Sequence, residues 1–477
     1  MHVRRSSITV HPIVSAVTAV LIVLLTVSET YSGNGSKEDL FRNILISDTL
    51  INSNVGIHIV NCSTSEDIYR YNENKLFIPA SVLKIITAYA ALKVLTPQYV
   101  FSTNYLAKDT VADSSAVSML YIKGNGDPTL STDDLNNQAS SIAAKIKEIR
   151  DGIVVDNTFF DTIRLGSGWM WDDPNTPVAP FFINNNLIDL IVSPGAVRGQ
   201  TATASSLPAS SFIDVSVENV TDDNRIRILH EKLENREKYV IAGPFSSVTA
   251  VRRFRTVVHQ PELFAGTVFK ELLAKNGTEV GGPVRIGRVP SDAQQFASFN
   301  SPPLGDIVKT FLKESNNLTG ECLLKTLGTV DSGSPGEAYK GVREVQKVLK
   351  EIGIEEKKYR MVDGSGLSTY NLLTPEQLVT VLKAAYRDFT IYPEFSSALA
   401  VAGADGTLRS RMDDSLLVRS VRAKTGTMSG ISSLAGYLRT KKGTMIAFSI
   451  MVNGFVGYST PVRAAQDSII KLIYEKF

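Results

Sequence analysis

Residues 79–95 read Pro79-Ala80-Ser81-Val82-Leu83-Lys84-Ile85-Ile86-Thr87-Ala88-Tyr89-Ala90-Ala91-Leu92-Lys93-Val94-Leu95. Val82, Ile85, Ile86, Ala90 and Leu92 recur at helical spacing, and so little else here is polar that the helix belongs inside the protein. A buried helix that opens on a serine and carries a lysine one turn later has a chemical reading. Positions i and i+3 share a helix face, so Lys84 lies beside Ser81. A serine hydroxyl is a weak nucleophile until a base comes within hydrogen-bond reach. A lysine serves as that base only when neutral, and burial or a neighbouring cation lowers its pKa. The unpaired N–H groups of the first turn are suited to a developing oxyanion.

Working outward, 55–62 and 68–71 read as two strands of a hairpin, and Asn72-Glu73-Asn74-Lys75 turns the chain toward the helix. Beyond Thr96 the composition shifts to Val, Ile, Ser and Thr punctuated by turn signals such as Gly124-Asn125-Gly126-Asp127-Pro128 and Ser193-Pro194-Gly195. That stretch is expected to be β-rich, with one helix over 133–150. Helical patterns return at 305–314, 318–327, 336–352 and 374–388, the last opened by a Thr374 cap and Pro375. A strand over 417–424, hairpin strands over 433–439 and 444–452, and a helix over 460–476 complete the chain. The expected architecture is multidomain α/β. A body made of residues 36–96 and 291–477 is split in sequence by an inserted β-rich region, 97–290, of two subdomains.

The chain has 477 residues, 50 Lys+Arg against 48 Asp+Glu, and 43% hydrophobic residues. A net charge of +2 is no electrostatic footprint for nucleic acid. Two cysteines, Cys62 and Cys322, exclude a disulfide-rich scaffold and a cysteine-built zinc site; a bridge between the two is left to geometry. The five histidines, His2, His11, His58, His230 and His259, fall in no metal-ligand spacing. At the N-terminus, Arg4 and Arg5 precede an uncharged apolar run from Ile13 to Val27. Residues 1–32 therefore read as a secretory signal peptide or an uncleaved N-terminal anchor, and either exports the chain.

Two further short elements have the right context. S-x-N occurs four times, starting at Ser32, Ser102, Ser298 and Ser315, but only Ser315-Asn316-Asn317 joins two helical patterns. K-T-G occurs once, as Lys424-Thr425-Gly426, where a strand enters the C-terminal hairpin. S-x-x-K recurs at Ser468–Lys471, inside the last helix with Ile469 and Ile470 between, where no such chemistry is expected.

The set Ser81-x-x-Lys84, Ser315-x-Asn317 and Lys424-Thr425-Gly426 resembles that of the penicillin-binding and serine β-lactamase superfamily. The separation of Lys84 from Ser315, 231 positions, is far longer than in a simple β-lactamase. It is similar to the S13 family of D-alanyl-D-alanine carboxypeptidases, the class C penicillin-binding proteins, in which extra domains intervene between the first two motifs. The strings Gly168-Trp-Met-Trp-Asp-Asp173, Asp363-Gly-Ser-Gly-Leu-Ser368 and Asp405-Gly-Thr-Leu-Arg409 extend the resemblance from about residue 40 to the C-terminus.

The resemblance implies a transpeptidase-like domain, an antiparallel sheet with helices on both faces, and a serine-type carboxypeptidase acting on peptidoglycan stem peptides. It implies β-lactam antibiotics as covalent inhibitors, a periplasmic or cell-envelope location, and neither cofactor nor metal. It makes Ser81 the acylated nucleophile, Lys84 its base, Ser315 and Asn317 the groups that complete proton transfer and substrate placement, and Lys424 and Thr425 the holders of the terminal carboxylate. The N–H groups of Ser81 and Thr427 become the oxyanion hole. Gly426 leaves the strand edge open for the substrate to lie along. Asp156 corresponds to an inserted-domain acid facing the site, with an Asx-turn role as the alternative. Two departures stand out: Asn316 replaces the common Asp, and Thr369 replaces an Arg that often follows the Gly-Ser-Gly-Leu-Ser string. The alternatives are a D,D-endopeptidase cutting cross-links, a non-catalytic peptidoglycan-binding relative, and a β-lactamase, for which no water-activating group is identifiable.

Overall fold

The computed structural model describes residues 37–477 apart from 109–114, 171–175, 196–201, 221–224, 246–249 and 415. The expected signal peptide or anchor, and residues 171–173 of the Trp-Met-Trp string, lie outside the described residues. Among the described residues no helix is long and apolar enough to cross a membrane.

A six-stranded antiparallel sheet organises the body. Its order is Ala400–Val401, Val421–Met428, Ile431–Arg439, Met445–Asn453, Asn54–Asn61, Asp67–Tyr71. The strands alternate between two apolar layers, as a period-2 pleat buried on both faces requires. Leu434, Leu438, Phe448 and Ile450 face one layer with Ile469, Ile470 and Ile473 of the C-terminal helix Ser459–Lys476. Ala435, Tyr437, Ala447 and Met451 face the other, beneath helices Lys84–Leu95, Leu304–Glu314, Asn317–Leu327, Ala338–Glu351 and Pro375–Arg387. The last of these starts with a reciprocal capping box between Thr374 and Gln377.

Only segments 54–71 and 400–453 contribute strands to this sheet. Between them the chain builds a separate five-stranded sheet, in the order Val284–Gly287, Ile153–Asp156, Leu120–Gly124, Ser102–Ala107, Gln294–Asn300, and three small three-stranded sheets. The strand Gln294–Asn300 pairs with Ser102–Ala107, so this unit runs ten residues past the boundary expected at 290. It is also less purely β than its composition suggests. Helix Pro261–Lys275, not anticipated, packs with Thr132–Ala143 over one apolar cluster that includes Phe264, Phe269, Leu135 and Ile142. The expected helix over 133–150 ends early, and Glu148–Ile149 is a short strand. Cys62 and Cys322 are both free thiols, buried in different clusters.

Candidate active site

Ser81 lies in a single 3-10 turn, Ala80–Leu83, that continues into the α-helix beginning at Lys84, rather than in the uninterrupted helix expected. In a 3-10 turn the i and i+3 side chains eclipse, so the junction aligns Ser81 and Lys84 more tightly than an α turn would. Entry to the turn is strained. Ala80 has φ +50, a left-handed conformation that costs a non-glycine residue on the order of 1–2 kcal/mol. Gly366 approaches so closely that a Cβ there would sit 2.1 Å from the Ala80 carbonyl oxygen.

Lys84 is wholly buried, and its Nζ contacts three oxygens: Ser81 Oγ at 2.9 Å, Asn317 Oδ1 at 2.7 Å and the Ser365 carbonyl at 2.6 Å. The last two can only accept. A neutral amine has two N–H donors and one lone pair, so donating to both leaves the lone pair for the Ser81 hydroxyl. Burial brings the Lys84 pKa down to about 7, against the opposite pull of Asp363 and Glu321. Lys424 is itself wholly buried and held well below its ordinary pKa by burial and by the nearby Lys84.

The second motif is delivered by a helix break. Ser315 ends helix Leu304–Glu314 in the left-handed region at φ +61. Asn316 then caps the next helix, accepting from the Thr319 N–H at 3.1 Å, and Asn317 follows as its first residue, facing Lys84. The Asn316 side chain also donates to Asn185 Oδ1 at 2.8 Å, within three consecutive left-handed asparagines, Asn184 to Asn186, of the intervening unit. That unit buttresses the site twice more. Trp169 Nε1 donates to Asp363 Oδ2 at 3.0 Å, and Lys325 pairs with Asp161.

Lys424-Thr425-Gly426 sits in the middle of strand Val421–Met428 rather than ending it. Short Ala400–Val401 pairs only with Arg422 and Ala423, so the strand edge past Lys424 is free of a neighbouring strand among the described residues. Alternation then sorts the motif. Thr425 and Thr427 face a cleft of about 370 Å³ shared with Ser81, Ser315, Thr407, Arg411 and Arg463. Lys424 and Gly426 face inward. The Lys424 Nζ donates to the Thr425 carbonyl at 2.9 Å, behind the residues that line this cleft and near the Lys84 amine. Gly426 is required by close packing: a Cβ would lie 2.8 Å from the Pro79 carbonyl oxygen and 3.0 Å from Ser81 N.

Asp156 is not brought to this site. Buried at the end of its strand, it accepts from the Thr158 N–H at 2.8 Å and hydroxyl at 2.6 Å through Oδ1, and from the Val289 N–H at 2.8 Å through Oδ2. This is the Asx-turn alternative, extended by one tertiary contact.

Three contributors escaped the sequence reading. The Ser365 carbonyl is aimed at Lys84 by a loop wound around buried Asp363, which accepts from Gly366 N, Ser368 N and Asn371 Nδ2. Glu321 underlies that loop, accepting from Gly364 N, with its pKa raised to about 8 by burial and by Asp363. Arg463 reaches the cleft from the C-terminal helix. The Asp-Gly-Ser-Gly-Leu-Ser string was a signal for the first; a glutamate inside a buried helix and an arginine on a distant one leave none.

Comparison with known proteins bears on most of the chain. A 32% identical relative over 436 residues, covering 87% of this chain and 80% of its own length, is the D-alanyl-D-alanine carboxypeptidase of Actinomadura sp. strain R39. The D-alanyl-D-alanine carboxypeptidase DacB of Haemophilus influenzae is 28% identical over 431 residues, covering 87% of this chain and 89% of its own. In fold, the crystal structure of penicillin-binding protein 4 from Haemophilus influenzae superposes with a TM-score of 0.79 at 24% identity, over 92% of this chain and 99% of that one. Residues 40–475 match the family model described as the D-Ala-D-Ala carboxypeptidase 3 (S13) family. With that match spanning both halves of the body and everything between them, the chain belongs to the S13 family of serine-type D-Ala-D-Ala carboxypeptidases.

Proposed function

We propose that the protein cleaves the terminal D-alanine from peptidoglycan stem peptides through an acyl-enzyme on Ser81, and that penicillins arrest it at that stage. The observation that carries this reading is the environment of Lys84. It is a buried amine with a pKa of about 7, two oxygens that can only accept, and one hydroxyl.

In this reading, neutral Lys84 accepts the Ser81 proton as Oγ attacks the carbonyl of the penultimate D-alanine. The N–H groups of Ser81 and Thr427 receive the oxyanion, worth about 10²–10³-fold per donor in comparable sites. As the tetrahedral intermediate collapses, the proton passes from Lys84, by way of the hydroxyl of Ser315 in the cleft wall, to the departing amine. Water then attacks the ester with Lys84 again as base, and Ser81 is regenerated. Asn317 holds the amine in register. The substrate lies along the strand edge past Lys424, with Thr425 and Thr427 toward its C-terminus. Because peptidoglycan lies outside the cytoplasmic membrane, the basic and apolar residues 1–32 act as the export signal or anchor.

Incubation with a fluorescent penicillin followed by peptide mapping tests the nucleophile. Label on Ser81, lost in Ser81→Ala, is expected; label on another serine overturns the assignment. Release of D-alanine from a pentapeptide ending in D-Ala-D-Ala tests the reaction. Cleavage of cross-linked dimers in its absence would replace this reading with the endopeptidase one.

A further inference from the structure

The proposed reaction requires a group that recognises the free carboxylate next to the scissile bond, and the motif lysine is poorly placed for it. Lys424 is wholly buried, donates to its neighbour's carbonyl and does not line the cleft. Two other cations do, Arg411 and Arg463. Arg411 is already neutralised: its Nη2 lies 2.6 Å from Asp467 Oδ1 and its Nε 3.4 Å from Oδ2, with further bonds to the Arg463 carbonyl and Gln466. Arg463 differs. Its one side-chain hydrogen bond is a long one to Thr460 Oγ1, 3.4 Å, and its buried Nε has no partner. No carboxylate among the described residues lies within ion-pair distance of it.

A guanidinium is always charged and presents its donors as a planar fork matched to a carboxylate. Arg463 stands in the cleft wall with one long side-chain hydrogen bond, which leaves the outer N–H groups of its fork for a bound anion. The threonine hydroxyls of Thr425 and Thr427 line the same cleft, on the side of Ser81 where the strand edge is free.

We propose that Arg463, and not Lys424, is the cation that selects substrates with a free C-terminal carboxylate, acting with the hydroxyls of Thr425 and Thr427. Arg411, locked on Asp467, fixes the helix from which Arg463 projects. This rests on the proposed carboxypeptidase reading, and it makes Arg463 a specificity residue: it touches the substrate's terminus and no reacting atom.

The test compares kcat/KM for a D-Ala-D-Ala peptide with that for its C-terminal amide, using the full-length protein. A charge-assisted bond of this kind is worth about ten- to a hundredfold, so the unmodified enzyme should prefer the acid by that factor. In Arg463→Gln the preference should collapse to within about threefold, the loss falling on the acid. Arg463→Lys should restore part of it, which a purely structural role for the side chain would not. Taking a ratio within each variant removes differences in folded fraction, and if Arg463→Gln does not fold, Arg463→Met is read in the same way. A preference as large in the neutral variant as in the parent overturns the proposal and leaves the carboxypeptidase reading standing. Equal turnover of acid and amide by the parent also overturns it. A parent that takes no penicillin and releases no D-alanine refutes the underlying reading instead.

Discussion

Replacing Gly426 with alanine tests whether the approach of strand Val421–Met428 to the Ser81 turn governs reactivity. The added Cβ would lie 2.8 Å from the Pro79 carbonyl oxygen, 3.0 Å from Ser81 N and 3.1 Å from Ala80 Cβ. Ordinary contact begins near 3.4 Å, so strand and turn must separate by roughly 0.4–0.6 Å. Two of the three atoms are backbone, and the third belongs to a residue already held at φ +50, so no side-chain rotation relieves the clash. Overpacking of this kind costs about 1–3 kcal/mol of stability. The kinetic cost is expected to be larger. The amide crowded by the methyl is that of Ser81, and the strand that retreats carries Thr427, so both proposed oxyanion donors shift. A misplacement of about 1 Å at a reacting centre costs about 10²-fold; roughly half that shift, with one donor partly obstructed, should slow acylation about 10- to 100-fold. Stopped-flow acylation by a reporter β-lactam gives the rate, and a thermal melt gives the stability. A folded Gly426→Ala protein that acylates within twofold of the parent would show that the strand-to-turn spacing does not control the reaction.

Other predictions address the remaining parts of the site. Because Lys84 has a pKa near 7 and reacts as the neutral amine, acylation should rise with pH through about 7 and level off above it. A flat profile from about pH 5.5 to 8.5 would exclude Lys84 as the titrating base. Asn317→Asp places a carboxylate against the amine and favours the ammonium form. The ascending limb should move to higher pH, and an unmoved limb would mean that Asn317 does not set the electrostatics of Lys84. Asp156→Asn leaves one buried donor, at Val289 or Thr158, facing an amide N–H₂, which should cost about 1–3 kcal/mol in a melt while acylation at 25 °C stays within twofold. A loss of acylation with an unchanged melting temperature would return Asp156 to the site.

Strand and helix placement shows where local reading ends. The spacing of Ser81 and Lys84, the two apolar strands of the C-terminal hairpin and the Thr374 cap were legible because each depends on residues within a turn or two. The strand carrying Lys424 was expected at 417–424 and lies at Val421–Met428. Its limits come from pairing with Ile431–Arg439 across Ser429-Gly430, which sets Lys424 opposite Ala435, and not from local propensity. Helix Pro261–Lys275 has its own signals, Pro261 at the start and Phe264, Val268, Phe269 and Leu273 on the buried side, but β-rich sequence on both flanks obscured them.

Local sequence specifies the chemistry on offer: a nucleophile and base one turn apart, an asparagine motif at a helix junction, and a threonine-flanked strand. It determined the family as well, because those residue types in that order carry the resemblance. Tertiary structure decided which groups meet. Asn317 reaches Lys84 across more than two hundred residues, and the Ser365 carbonyl is placed by a loop folded around Asp363. Pleat direction turns Lys424 inward and Thr425 outward, and an Asx turn withdraws Asp156 from the site. Arg463 enters the cleft from a helix whose sequence shows only that it is amphipathic. The physical reason is common to all of these. Burial, side-chain direction and pairing register are properties of the assembled layers, and a residue's neighbours in sequence do not specify them.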